Sequence, residues 1–308
     1  MHGVRPTLGD ASFREPIRRR MAHGEGQVTA WAGVIGDPIE HSLSPVLHRK
    51  AYQLAGLDWE YRRRRVDVDE LGDFLSHLDK GCAGLSVTMP LKQHLAQHVD
   101  HVESLSRLLH SANTIVFAGG TSAAFNTDVG GIVAALRRVS PAPTAPGVPV
   151  VIGTGATASS AVGALASMGH RQVRLLGRNF AGQDNAFLSA NRVGVRADTL
   201  LLKLTGAVVE AINTAPIVVS TIPHHASAPF APLLKPREDA VLLDVSYGDG
   251  ASPLERAFCE AGARSASALA MLTYQGLAQV KLMSGRGVPF EPVYKAVVEA
   301  ASGDSSRP

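Results

Sequence analysis

By its hydrophobic pattern, order in this chain begins at Trp31. Residues 1–29 carry no apolar period and are rich in Gly, Pro and Arg, so they read as a disordered extension with Met21 inside it as an alternative start. From Trp31 onward, short apolar runs alternate with helical patterns. Residues 32–35 predict a strand, and residues 44–55 a helix opened by Ser44 with Pro45 at its first position. A strand over 59–66, a helix over 70–78 and a strand over 85–88 follow, the last closed by Pro90. Two short helices, 93–99 and 103–109, precede strands at 112–117 and 123–126, and the Gly119-Gly120-Thr121 between those strands predicts a hairpin. A helix over 131–139 then runs into the Pro-rich stretch 140–149, the clearest punctuation in the chain.

Beyond that stretch the pattern changes. Residues 148–152 form a continuous apolar run of the kind buried on both faces of a parallel sheet. Such runs recur at 173–176, 217–220 and 241–245 with helical segments between them, the alternation of a doubly wound α/β domain. Segments 271–283 and 291–301 predict helices, and no strand follows them. The expected fold class is α/β in two domains, and the length of 308 residues agrees, being more than one compact core of average size requires.

Composition narrows the function classes. Hydrophobic content of 45% with 19% charged residues is that of an ordinary folded protein. The formal charge is only +3, and much of the excess lies in Arg18-Arg19-Arg20 and in Arg62 to Arg65, too little for a nucleic-acid partner, so both clusters read as solvated surface. The two cysteines, Cys82 and Cys259, make no CxxC pair and suit a cytoplasmic protein with reduced thiols. No secretory signal and no apolar stretch of membrane-spanning length is present, which predicts no membrane partner. No His/Cys/carboxylate cluster with zinc spacing appears, so no metal is expected.

Two groups of residues carry candidate chemistry. Gly153-Thr154-Gly155-Ala156-Thr157-Ala158 follows an apolar strand and opens a small-residue helix over 159–168. Gly153 permits the tight turn, Gly155 lets the backbone approach a pyrophosphate, and Ala158 allows close helix–strand packing. The next strand ends in Gly177-Arg178-Asn179, where an NAD-binding chain usually holds an acid for the ribose 2′-hydroxyl; here Arg178 stands there, and no acid occurs before Asp184. A guanidinium matches a 2′-phosphate, which favours NADP. In the first half, His41-Ser42-Leu43-Ser44-Pro45 puts two hydroxyls beside a helix start, a natural carboxylate site. Ser86-Val87-Thr88-Met89-Pro90-Leu91-Lys92 puts Ser86 and Thr88 on one strand face with Lys92 just beyond, and Ala112-Asn113-Thr114 and Asn126-Thr127-Asp128 add amides and a carboxylate.

In this order the motifs resemble the shikimate dehydrogenase family, from Trp31 to Ser302. The likeness begins in Gly36-Asp37-Pro38-Ile39-Glu40-His41-Ser42-Leu43-Ser44-Pro45, runs through the motifs above, and continues in Asp244-Val245-Ser246-Tyr247, Ser252-Pro253-Leu254, Met271-Leu272 and Tyr274-Gln275. Its Ser-Val-Thr-Met-Pro and Ser-Thr-Ile-Pro segments are similar to those of actinobacterial members. The resemblance implies reversible NADPH-dependent reduction of 3-dehydroshikimate to shikimate, on the route to chorismate and aromatic amino acids. It also implies a substrate domain over 30–130, a Rossmann-like NADP domain over 131–269 and helices over 270–302 returning to the substrate domain, with a disordered tail over 303–308. Carried over residue by residue, Ser42 and Ser44 would bind the substrate carboxylate, Thr88, Asn113 and Gln275 its hydroxyls, and Tyr247 would line the site. Lys92 and Asp128 would be the catalytic pair. Gly153 to Ala158, Gly177, Arg178, Asn179 and Thr221 would meet the cofactor.

Three departures from the family pattern stand out: Ser86 where many members have Asn, Gly177-Arg178-Asn179 for Asn-Arg-Thr, and Ser220-Thr221-Ile222-Pro223 followed by His224-His225 instead of Gly-Met. The chemistry fits the pair. Hydride reduction of a ketone leaves an alkoxide that needs a proton, and an ammonium such as Lys92 both donates it and stabilises the developing charge. Two other readings compete: a quinate/shikimate dehydrogenase using NAD, opposed by Arg178, and a non-catalytic nucleotide-binding sensor, opposed by retention of both Lys92 and Asp128. The assembly is expected to be a monomer or a homodimer.

Overall fold

The computed structural model describes residues 30–140, 146–182, 184–248 and 250–304. The expectations for 1–29 and for 305–308 lie outside these residues. The expected tail is corrected at its start, because the last helix runs through Gly303 to Asp304.

Two six-stranded sheets organise the chain. In the first, β1 (Trp31–Gly36) lies between parallel neighbours β2 (Glu60–Arg65) and β3 (Cys82–Val87). The two-residue β4 (His101–Val102) forms the far edge beside β6, and β3 pairs antiparallel with β5 (Thr114–Ala118), which forms the expected hairpin with β6 (Thr121–Phe125). β1 is buried at all six positions, as a central strand with both faces covered must be. β2 buries only Tyr61, and its arginines face outward. Arg62 lies over the Trp31 ring at 4.3 Å, and Arg65 pairs with Asp37 at 2.8 Å. A charged edge strand of this kind discourages pairing with another chain.

Helices α1 (Ser44–Ala55), α2 (Leu71–Ser76) and α3 (Ser104–Leu109) accompany this sheet. The helix expected over 93–99 is instead two 3₁₀ turns, Leu91–Gln93 and Leu95–Gln97, each pinned by one fully buried leucine, Leu91 or Leu95. Two anchors four residues apart suffice to fix the segment without a continuous helix, and they leave Lys92 between them on the cavity side. α4 (Asp128–Val139) starts three residues earlier than its apolar period suggests, at the polar Asp128. An acid in the first turn complements the helix dipole there.

The second sheet is parallel throughout. Its strands are β7 (Val150–Ile152), β8 (Gln172–Gly177), β9 (Arg196–Leu201), β10 (Ile217–Ser220), β11 (Val241–Asp244) and β12 (Arg264–Ala266), in the order β12-β11-β10-β7-β8-β9. Read from β9 this is the doubly wound order 3-2-1-4-5-6, with the reversal between β7 and β10, and ligands bind outside the carboxyl ends of strands at such a point. α5 (Ala156–Ser167), α6 (Ala186–Arg192), α7 (Thr205–Thr214) and α8 (Pro253–Glu260) connect the strands. α8 opens on a capping box between Ser252 and Glu255.

The chain then returns to the first sheet. α9 (Ala268–Ser284) packs on α1, α4, β3 and β5, and α10 (Phe290–Asp304) packs on α1 and α9. The approach of α9 is close. A Cβ at Gly131 would stand 2.9 Å from both the Met271 carbonyl and Gln275 Cβ, so bare backbone lets α4 and α9 touch beside Gln275. Among the described residues no helix is long and apolar enough to cross a membrane.

Candidate active site

A small cavity of about 200 Å³ opens between the two sheets, floored by the end of β3 and walled by α9. Its lining brings together Ser42, Ser44, Thr88, Lys92, Asn113, Asp128, Tyr247 and Gln275, every residue expected to touch substrate or proton. Thr157 of the glycine-rich turn reaches the same cavity, so the expected nucleotide and substrate sites are contiguous. Val87, Val245, Met271 and Leu272 supply apolar walls, and Tyr247, 42% exposed, stands at the mouth.

Lys92 Nζ donates to Asp128 Oδ2 at 2.7 Å. Both side chains are mostly shielded, at 14% and 5% exposure, which makes this a close pair in a place where water screens poorly. Its partners are fixed in turn. The Lys92 carbonyl accepts from Ala112 N, and Asn113 Nδ2 donates to Asp128 Oδ1 at 2.8 Å and to Gln275 Oε1 at 3.0 Å. Asn113 Oδ1 accepts from Thr127 N at 2.8 Å, which sets the direction of that amide. Asn126, also singled out by its motif, plays a different part. Its Nδ2 donates to the Ser111 carbonyl and to Ser160 Oγ on α5, tying the first sheet to the nucleotide helix.

Ser44 is not the cap of α1. Leu43 occupies that position without a side-chain bond, and Ser44 is the first helical residue. Ser42 Oγ accepts from Ser44 N at 3.3 Å, and both hydroxyl residues line the cavity beside the uncapped helix start. Two hydroxyls beside a helix start form a natural seat for a carboxylate.

Behind these residues lies a polar chain of which motif reading found only Ser86. His48, fully buried, contacts Tyr52 OH through Nδ1 and Gln279 Oε1 through Nε2, each at 3.2 Å, and stacks on Tyr61 at 4.1 Å. Tyr61 OH lies 2.6 Å from Ser86 Oγ, which lies 2.6 Å from Gln279 Oε1. The available signal was spacing: Gln279 follows Gln275 by one helical turn, as His48 follows Ser44, so each falls on the face of its helix that meets the cavity.

Burial pushes the His48 imidazole down from 6.5 to about 3, opposed only in part by its bond to Gln279. An unfolded chain takes up this proton below 6.5, whereas the folded chain does so only near 3, so acid favours unfolding throughout that window. At about pH 5 the site is expected to have cost about 2 kcal/mol of stability relative to neutral pH. Urea unfolding of wild type and His48→Gln at both pH values reads that share, and equal acid losses in the two proteins would place the sensitivity elsewhere.

The nucleotide side is built by close contacts. Gly153 has φ +122°, and a Cβ there would stand 2.1 Å from Thr221 Oγ1, so only glycine fits between β7 and the residue after β10. Thr221 Oγ1 itself donates to the Ile152 carbonyl at 2.9 Å. At the end of β8, a Cβ on Gly177 would stand 2.5 Å from Thr154 Cγ2, which brings the Arg178 backbone against the turn. Ala158 is fully buried against the sheet, whereas a Cβ at Gly155 would meet nothing within 4 Å. Open space therefore faces the first turn of α5, which no side chain caps. An uncapped helix start facing open space at the sheet's switch point fits a pyrophosphate. Arg178 and Asn179 are exposed past β8, and Asp184 is engaged elsewhere, its carboxylate with His110 Nδ1 at 2.7 Å and its carbonyl with Gln93 Nε2. Residues 153–158 and 177–179 with Thr221 are thus a fitting cradle for a dinucleotide. Among the described residues no cluster of three or more His, Cys, Asp or Glu side chains is arranged to hold a metal ion.

Comparison with known proteins places this geometry in context. Residues 34–115 match the family model for the shikimate dehydrogenase substrate binding domain. The chain is 32% identical over 271 residues to a shikimate dehydrogenase (NADP(+)) of Ignicoccus hospitalis, covering 86% of this chain and 97% of that one. It is 28% identical over 276 residues to the enzyme of the same description from Methanopyrus kandleri, covering 87% and 94%. Among solved structures, the shikimate dehydrogenase of Mycobacterium tuberculosis aligns with a TM-score of 0.76 at 35% identity, over 88% of this chain and 99% of that one. The Thermus thermophilus enzyme, solved with NADP(H) and shikimate, aligns with a TM-score of 0.75 at 25% identity over 88% and 99%.

Proposed function

Because the chain belongs to the shikimate dehydrogenase family, we propose that Lys92 and Asp128 handle the proton in its reversible, NADPH-dependent reduction of 3-dehydroshikimate to shikimate. That reaction is a step towards chorismate and the aromatic amino acids. The observation that carries the assignment of the pair is the 2.7 Å contact of Lys92 Nζ with Asp128 Oδ2, inside a cavity that also holds the hydroxyls of Ser42 and Ser44.

Bound NADPH supplies the hydride, and NADP takes it back in the reverse direction. Ser42 and Ser44 seat the carboxylate and so fix one end of the ring. Thr88, Asn113 and Gln275 hold its hydroxyls, and Tyr247 covers the mouth. Lys92 donates a proton to the carbonyl oxygen as it becomes an alkoxide, and its charge stabilises the oxygen before the proton arrives. Asp128 keeps the ammonium aimed and accepts from a neighbouring substrate hydroxyl. In oxidation Lys92 takes the alcohol proton as the hydride leaves. Thr157, which lines the cavity from the nucleotide turn, sits where the two sites meet.

Shikimate and quinate assayed against NADP and NAD test this reading. Rapid appearance of NADPH absorbance with shikimate and NADP is the expected result, with the other three combinations slower. Fastest turnover of quinate with NAD would replace it by the degradative reading. Tight NADP binding without turnover of either acid would point to a sensor.

A further inference from the structure

The protons of the buried chain behind the cavity can be placed one by one, starting from a group that has no choice. The Asn113 carbonyl can only accept, and Gln279 meets it at 3.0 Å, so the atom facing it is Nε2, which also reaches Thr114 Oγ1 at 3.1 Å. Gln279 Oε1 must then face Ser86 and His48. Its 2.6 Å contact with Ser86 Oγ needs a hydrogen that only the serine can supply. With that hydrogen used, the 2.6 Å contact between Ser86 and Tyr61 must be the phenol donating to the serine. His48 Nε2, 3.2 Å from the same Oε1 and 3.4 Å from Ser86 Oγ, must carry a hydrogen, since a bare nitrogen would face a bare oxygen. In a neutral ring Nδ1 is then bare and accepts from Tyr52 OH at 3.2 Å. Each hydrogen is used once, and the one contact without its own is the longest, His48 Nε2 with Ser86 Oγ at 3.4 Å.

The surroundings of the ring favour its neutral form. Its neighbours are Tyr52 on its own helix, Tyr61 on β2, Ser86 on β3 and Gln279 on α9, and none of them carries a charge. Ser86 is left with one lone pair. It is a cavity-lining residue, 4% exposed, so that lone pair is what it can offer to a bound molecule.

We propose that His48 and Gln279 are positioning residues for the substrate cavity: the Asn113 carbonyl orients the Gln279 amide, His48 Nε2–H holds its oxygen in place, the amide draws the Ser86 hydrogen inward, and Ser86 meets the substrate as an acceptor alone. A ring hydroxyl can donate to such a site. A carboxylate there would meet only lone pairs and is turned towards Ser42 and Ser44 instead. The device thus sorts the two ends of a polyhydroxylated acid, and it rests on the shikimate reading of the cavity.

Two measurements test it. Long-range ¹H–¹⁵N NMR of histidine-labelled protein, with the His48 signal assigned by its loss in His48→Gln, is expected to show a neutral ring protonated at Nε2 at neutral pH. A proton on Nδ1, or a charged ring, would overturn the proposal whatever the enzyme's substrate. In kinetics, His48→Gln keeps an N–H donor within reach of Gln279, whereas His48→Leu fills the space without one. His48→Leu should raise the KM for shikimate about tenfold, the worth of one hydrogen bond, with kcat and the NADP dissociation constant little changed. His48→Gln should stay close to wild type in all three. Equal KM losses in both variants would mean that ring shape, not the donor, matters, and would overturn the idea. If His48→Leu folds poorly, the NMR result on wild type still decides. A wild-type protein that turns over no shikimate would instead remove the functional reading, and the NMR arm would remain interpretable.

Discussion

Lys92→Met will lower turnover by about 10²–10⁴, the usual cost of losing a positioned acid–base group, and will move the KM for shikimate far less. Methionine keeps the length and the apolar stem of lysine, so the turn held by Leu91 and Leu95 should survive. What disappears is the ammonium 2.7 Å from Asp128, and its loss is felt where the carbonyl oxygen becomes an alkoxide. Asp128→Asn keeps the shape and can still accept from Asn113 while losing the charge that aims Lys92. It should also lower turnover heavily. If the two residues share one proton-transfer step, as proposed, the double variant should be little worse than the worse single one. Steady-state kinetics of the three variants read this directly. Near-normal turnover in Lys92→Met would remove the lysine from the mechanism and leave the cofactor side untouched.

Arg178→Ala will reduce kcat/KM for NADP at least tenfold more than for NAD, a differential of about 1.4 kcal/mol or more. The only chemical difference between the two cofactors is the 2′-phosphate, and a guanidinium reads it through charge and paired donors. Packing of Gly177 on Thr154 starts the Arg178 side chain beside the glycine-rich turn, and the nearest following acid, Asp184, is held by His110. The same comparison should show wild type preferring NADP at least tenfold. Equal losses for both cofactors in the variant would mean that the arginine does not meet the phosphate.

Much of this molecule is legible in its sequence, and the parts that are not share a physical cause. α1 and β10 fall on their expected residues because each is bounded by sharp local chemistry, Pro45 and Gly56 for the helix, and for β10 an apolar run that stops at polar Ser220 and Thr221. β9 and β12 carry no such signal. The first is the polar edge strand Arg196-Ala197-Asp198-Thr199-Leu200-Leu201, and the second is Arg264-Ser265-Ala266 at the opposite edge, so backbone pairing rather than an apolar run defines them. At the site, residues that sit in runs of unusual chemistry, such as Ser42-Leu43-Ser44 and Asn126-Thr127-Asp128, declare themselves. His48, Tyr61 and Gln279 do not. Each lies alone in an amphipathic stretch, and only folding brings α1, β2 and α9 to the back of β3.

The return of α9 and α10 to the first sheet has a consequence for how the chain is made. β1 through β6 leave the ribosome well before the helices that cover Val34 and carry Gln275 and Gln279 to the cavity. At ordinary elongation rates, the interval between Phe125 and Ser284 is on the order of ten to thirty seconds. By the end of that time the second sheet has all its strands and can fold as a unit, while one apolar face of the first still waits with only α1 upon it. The half of the cavity that emerges first is therefore finished last, and a nascent chain truncated before α9 would hold a formed nucleotide cradle beside an unfinished substrate wall.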